Sequence, residues 1–351
     1  LHSRLHLANR DDFCHLKFAM IILNYRLKKE RIGRKSRSKA GIWVALVVEI
    51  VVLVAFTSSL SFEGGKITFE SSFLNYSNIS QVLNSLSFIA IMAVGQAVVI
   101  ISGGIDLSVG SLLGLCGVVT AILLNLGFVT PLAILIGLLV GLFSGLTNGL
   151  FITKAKLPPF IATLGMLSIA RGLAYGITGG ETIRNLPGDF RFIGQGAIAG
   201  VPIPIIIMIF FSAMIAHFLK LTKWGRYAYA IGGNEEASIY SGVKVANMKL
   251  LFYSLCGFAA GLAGVLFVAF FGVGQSTAGL GYELDVIAAA VIGGISLSGG
   301  RGTILGAMLG SVLMGILRNG LVLLKVSAYW QQVAIGAVII IAVILDRRTK
   351  R

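Results

Sequence analysis

Charge is what this 351-residue chain has least of: 12% of its residues are Asp, Glu, Lys or Arg, about half the share of a soluble domain. Too few polar side chains remain to cover a water-facing globule. Acids are scarcer than bases, 14 against 29. The bases sit between apolar stretches rather than in one patch, which excludes nucleic-acid binding despite a pI near 10.0. Cysteine is confined to Cys14, Cys116 and Cys256, an odd and scattered set that builds neither a disulfide framework nor a metal knuckle. His2, His6, His15 and His217 supply no zinc or haem site, so no metal is expected. No cluster of His, Ser or paired acids suggests catalysis. A phosphate-cradling G-x-x-x-x-G-K-[ST] loop is also missing; the Gly-Lys pair at Gly65-Lys66 runs into Ile67 and fails the pattern. The chain reads as a non-enzyme with no cofactor of its own.

What remains is apolar. Hydrophobic residues make up 56% of the chain, glycine numbers 45, and the mean hydropathy is +0.90. Stretches near the roughly 20 residues that cross a bilayer as helix recur throughout. The expected spans are 42–60, 78–101, 108–126, 131–151, 160–178, 202–219, 250–271, 284–297, 303–324 and 328–345. The fold class is an all-α polytopic membrane protein of about ten spans, in a cell (inner, cytoplasmic) membrane. The eighth segment is short, and crossing or re-entrant forms both fit it. With ten spans and a cytoplasmic N-terminus, 23 Lys and Arg fall inside and 4 outside, the asymmetry the positive-inside rule favours. Omitting the eighth crossing would put Arg347, Arg348, Lys350 and Arg351 outside. Both termini are therefore expected in the cytoplasm.

Three regions follow: a basic tail 1–41, a membrane domain 42–346 and a basic C-terminus 347–351. The tail carries eleven Lys and Arg against three acids. The chain opens on Leu1 and Met20 is an alternative start, so nothing is built on residues 1–19. The first apolar run lacks a small-residue cleavage pattern and reads as a retained anchor.

Gly103-Gly104-Ile105-Asp106-Leu107-Ser108 matches Gly293-Gly294-Ile295-Ser296-Leu297-Ser298 without a gap. Both follow apolar runs and precede glycine-punctuated spans. Paired glycine breaks in two halves point to a substrate path, because broken helix ends free N–H and C=O groups to face a cavity. The alternative is a tight turn in which Asp106 or Ser108 caps the next helix. Six intervening spans imply parallel repeats, whereas a non-spanning eighth segment would invert them. Of the ionisable residues in or near spans, Glu49, Arg171, Asp285 and Arg318, each should be paired, cavity-facing or near an end. Glu49 either lines a path or packs against a neighbour.

Residues 220–249 form the longest hydrophilic stretch between spans. Gly232-Gly233 reads as a hinge, Asn234 as an N-cap, and Glu235 and Glu236 as first-turn carboxylates complementing the helix dipole. Gly242 is placed to end the helix. A helix of about two turns, roughly 10 Å long, with apolar Ala237, Ile239 and Tyr240, suits a partner's groove; a helix lying on the membrane is the alternative.

Glu236-Ala237-Ser238-x-x-x-Gly242 is similar to the E-A-A-x-x-x-G signature of ABC-importer permeases, with Ser for the second Ala and without the later part of that signature. Trp224-Gly225-Arg226-Tyr227, Ala230 to Ala237, Gly103 to Ser111, Pro159 to Gly165 and Thr277 to Asp285 together resemble the ribose-type branch of monosaccharide ABC importers. The resemblance implies a permease subunit. Two such subunits, as a homodimer in the simplest case, form the path; separate ATPase subunits dock beneath, and an extracytoplasmic sugar-binding protein delivers substrate. It also makes 234–242 the coupling helix. Ribose-like sugars are the first expectation, with autoinducer-2 as an alternative substrate. An ion-coupled secondary transporter and a non-transporting receptor are the rival classes.

Overall fold

The computed structural model describes residues 42–63 and 66–348. Residues 1–41, including the basic tail, and 349–351 lie outside the described residues, and nothing structural is assigned to them. Ile42–Val47 begin helix α1 and belong to a separate unit from Val48–Arg351; the architecture below is that of the second unit.

Each of the ten expected spans contains a helix. They are α1 (Ile42–Thr57), α2 (Tyr76–Ile101), α3 (Val109–Asn125), α4 (Thr130–Thr153), α5 (Pro159–Thr178), α7 (Ile203–Leu221), α10 (Val245–Phe271), α11 (Tyr282–Ile292), α12 (Ile304–Leu323) and α13 (Ala328–Arg348). Among the described residues six are both long and apolar enough to cross a bilayer: α2, α4, α5, α7, α10 and α12. The chain is an all-α multi-pass membrane protein.

Four elements went unforeseen. An antiparallel hairpin, β1 (Ser58–Glu63) on β2 (Lys66–Ser71), shortens the first expected span, because its register from Ser58↔Ser71 to Glu63↔Lys66 takes residues 58–60. Helix α6 (Gly188–Gln195) lies over the ends of α3, α4 and α10, sinking Phe190 among Leu124, Ala133 and Val268. Thr130 donates to Asp189 at 2.5 Å, and that bond holds the Asp189 carboxyl below its ordinary value. Helix α8 (Lys223–Gly233) precedes the short helix α9 (Glu235–Tyr240). A two-residue ladder, β3 (Ala197–Ile198) with β4 (Val201–Pro202), closes the turn into α7.

From Leu86 to Ile101, helix α2 is predominantly apolar and buried on every face, as a central helix must be. Helix α10 lies against α4 along a glycine seam. A Cβ at Gly141 would stand 2.5 Å from the Gly257 carbonyl, and one at Gly145 would stand 3.1 Å from the Gly257 Cα. Lipid supplies no hydrophobic drive between helices, so such close backbone approach is a main source of adhesion.

The eighth expected span departs most from expectation. Helix α11 covers eleven residues, begins at Tyr282 and ends at Ile292, so neither limit of 284–297 holds. Before it, residues 272–281 are non-helical and run along α3. Gly274 lies against Ala121, Ser276 and Ala278 against Gly114, and Gly279 against Gly110. That descent covers about 16 Å of α3 at 1.5 Å per residue.

Candidate functional site

Helix α9 has the local chemistry its sequence announces. The Asn234 Oδ1 accepts from Ala237 N at 2.9 Å. Gly242 has φ of +82°; its N–H returns to Ile239 O, and Val243 N returns to Ser238 O, the double closure of a Schellman ending. Lys249 of α10 donates to both oxygens of Glu235, at 2.6 and 2.7 Å. Glu236, Ala237, Ile239 and Tyr240 are exposed, Tyr240 at 89%. A large aromatic ring so exposed on a six-residue helix is suited to insertion into another surface.

The two members of the expected hinge differ. An added Cβ finds open space at Gly233, whereas at Gly232 it would overlap Ile101 O at the end of α2. Gly232 is the packed position; at Gly233 only the side-chain direction is open.

The repeated glycine turns both end helices, but in shifted register. Gly103 is left-handed at φ +86°, with Gly103 N bonded to Ile100 O and Gly104 N to Val99 O. In the second copy the left-handed residue is Gly294, φ +84°, with Gly294 N bonded to Val291 O and Ile295 N to Ala290 O. Gly103 therefore corresponds to Gly294, not to Gly293 as the ungapped match implied. The other glycine of each pair serves packing. A side chain at Gly104 would strike the Tyr253 ring, and one at Gly293 would strike the Gly306 backbone of α12. The loop that follows the second turn lies against the end of α2, since Gly300 N donates to Ile101 O at 2.8 Å.

Asp106 is completely buried. Its Oδ1 accepts from Ser108 N at 2.8 Å and from Ser108 Oγ at 2.5 Å. Asn148 of α4 reaches both carboxylate oxygens, at 3.4 and 3.3 Å, and Ser108 Oγ at 3.0 Å. With its amide oriented to suit, Gln96 donates to Asp106 O at 3.3 Å and accepts from Asp106 N at 3.1 Å. The carboxylate is thus a turn-former leading into α3 and the centre of a buried polar knot. Ser108 occupies the N-cap position but makes no side-chain cap bond. Ser296 is buried and closes its own loop, its N–H bonded to Arg301 O and its carbonyl accepting from Gly299 N; Ser298 is exposed.

Three of the ionisable residues have structural roles. Arg171 of α5 donates to Ser276 O, to Ala278 O at 2.8 Å and to Gly110 O at 3.5 Å. It satisfies carbonyls that the non-helical segment leaves without helical partners. Arg318 pairs with Asp285 and stacks over Tyr282 with its guanidinium 5.0 Å from the ring centroid. The Glu49 oxygens, Glu283 Oε2 and Asp285 Oδ1 are buried without a hydrogen-bond partner. Sequence reasoning missed Gln96, Asn148, Tyr229 and Tyr253. Polar residues inside apolar runs were the available signal for the first two.

A family model described as "Branched-chain amino acid transport system / permease component" matches residues 78–343. Ribose import permease protein RbsC of Bacillus subtilis (strain 168) is 47% identical over 279 residues, covering 79% of this chain and 87% of that protein. RbsC of Escherichia coli (strain K12) is 41% identical over 323 residues, 90% of this chain and 97% of the relative. The D-allose transport system permease protein AlsC of the same strain is 36% identical over 325 residues, 92% and 97% of the two chains. No solved structure matches. With three-quarters of its length under the family model and relatives this close, the chain belongs to the family of branched-chain amino acid transport system permease components.

Proposed function

We propose that this chain is the membrane-spanning permease subunit of an ATP-driven importer for ribose-like monosaccharides. The observation that carries the reading is α9, an exposed helix capped at both ends, within a chain 47% identical to a ribose import permease. On this reading α9 is the coupling helix and docks on a separate ATPase subunit. Two copies of the chain enclose the path in the inner membrane, and an extracytoplasmic sugar-binding protein supplies substrate. Ten crossings with both termini cytoplasmic accord with the charge asymmetry along the sequence. The eighth crossing is then composite. About 16 Å of non-helical chain and an eleven-residue helix of about 16 Å together match a hydrocarbon core of roughly 30 Å. The buried polar groups Asp106, Ser108 and Ser296 lie beside the glycine breaks and are the candidate path elements.

The test is uptake by proteoliposomes holding the chain with its ATPase and binding protein. Ribose should accumulate only with ATP and binding protein present, with D-allose and autoinducer-2 as competing substrates in separate arms. Accumulation driven by a proton or sodium gradient without ATP would overturn the reading in favour of a secondary transporter.

A further inference from the structure

The first glycine turn, the 299–302 loop that follows the second, and the α8–α9 segment meet at a point where the closest approaches are backbone to backbone. Gly299 lies so close to α8 that its Cβ would stand 2.7 Å from Gly232 O and 3.0 Å from the Gly103 Cα. A Cβ at Gly300 would stand 3.0 Å from the Gly233 Cα, and one at Gly232 would stand 2.6 Å from Gly300 N. Gly299 and Gly300 are both left-handed, at φ +79° and +70°, so glycine is required there for conformation as well as for space. The Ile101 carbonyl, left open by the end of α2, accepts from Gly300 N at 2.8 Å. One helical turn before Gly232, the Tyr229 hydroxyl donates to Gly302 O at 3.0 Å, immediately before α12 begins.

We propose that this backbone junction transmits the movement of α9 into the membrane bundle, with Gly232, Gly300 and Tyr229 as positioning residues for coupling. The proposal rests on α9 being the coupling helix. Side chains between two elements can absorb a displacement by changing rotamer; backbone pressed on backbone cannot. Asn234, the N-cap of α9, is two residues beyond Gly232, so a push on the docked helix has almost no slack before it reaches the junction. From there it meets the end of α2, the most buried helix, and the start of α12. The Glu235–Lys249 ion pair supplies a separate link to α10. The end of α2 and the loop leading into α12 thereby receive the same displacement from one contact.

The experiment uses the full complex in proteoliposomes and reads ribose transported per ATP hydrolysed, with ATPase association measured in parallel. Gly232→Ala should retain the ATPase and its hydrolysis while the transport ratio falls on the order of tenfold. Gly233→Ala, whose methyl meets open space, should lose clearly less. Tyr229→Phe removes one hydroxyl without changing shape and should lower the ratio in the same direction. An unchanged ratio in Gly232→Ala, or equal losses at 232 and 233, overturns the junction. Should Gly232→Ala fail to assemble, Tyr229→Phe decides, and a parental ratio there overturns it. Failure of the underlying reading looks different: ATPase association would then survive disruption of α9 itself.

Discussion

Replacing Arg171 tests whether a single side chain holds the non-helical segment in place. In Arg171→Met the length is kept and every donor is lost. The carbonyls of Ser276 and Ala278 then lose the charged donor that satisfies them, and lipid offers none. At about 1–3 kcal/mol for each buried polar group left unsatisfied, the expected cost is roughly 2–6 kcal/mol, a large share of the usual 5–15 kcal/mol of folding stability. Arg171→Lys retains charge and three donors but lacks the planar fork that spans two carbonyls, so it should recover only part of the loss. The buried free thiols Cys116 and Cys256 provide the assay. In a Cys14→Ser background, a fluorogenic maleimide reports the temperature at which the bundle opens. The midpoint should fall by several degrees in Arg171→Met and by less in Arg171→Lys. Equal midpoints for parent and Arg171→Met would show that these carbonyls are satisfied some other way, and the explanation for a mid-span arginine would fail.

Gly242→Val forces a β-branched residue into φ +82° and, at about 1–2 kcal/mol or more for the left-handed conformation, should weaken ATPase binding by an order of magnitude; Glu236→Lys, placing a cation at the positive helix end, should act in the same direction. Pull-down at varied ATPase concentration checks both, and parental affinity in both would remove α9 as the coupling element. Asn148→Leu strips the Asp106 carboxylate of one of its two partner side chains and should cost about 1–3 kcal/mol, read as a lower thermal midpoint; a midpoint at the parental value would mean the knot is held by Ser108 and Gln96 alone. Gly104→Leu collides with Tyr253, and Gly294→Leu requires φ +84° of a branched residue. Each should abolish uptake while membrane insertion is retained, and full uptake by both would separate these turns from transport.

The helices were legible in the sequence because an apolar run marks one, and each of the ten expected stretches contains a helix, six of them long and apolar enough to cross a bilayer. Capping chemistry is equally local, so Asn234 and Gly242 could be placed from their neighbours alone. The non-helical segment 272–281 could not. Its stability depends on Arg171, which lies 105 and 107 positions away from the carbonyls it serves, and in the sequence Arg171 reads only as an awkward charge. The register of the glycine repeat misled for a related reason. Identical letters at 103–104 and 293–294 conceal that the left-handed residue is the first of one pair and the second of the other. The convergence at Gly232 was similarly hidden, because close approach to Ile101 and Gly300, both remote in sequence, leaves only glycine as its trace, and the chain holds 45 of them.

The dependence of residues 272–281 on α3 and α5 also bears on how the protein is made. A chain leaving the ribosome presents Gly272–Ile292 to the membrane with carbonyls that lipid does not satisfy, each unsatisfied group costing several kcal/mol there. Its helical part is only eleven residues long, so it carries too little apolar surface to enter unaided. Its partners, however, have already been synthesised: Gly110 and Arg171 precede it in the chain. On the ten-crossing reading the eighth segment is therefore expected to settle against a bundle already in the bilayer, as a late step in biogenesis with a fixed order. On the ten-crossing reading a reporter fused behind residues 42–271 should lie outside, whereas one fused behind residues 42–292 of the parent should be returned to the cytoplasmic side by a completed eighth crossing. With Arg171→Met upstream, that completed crossing should become rarer.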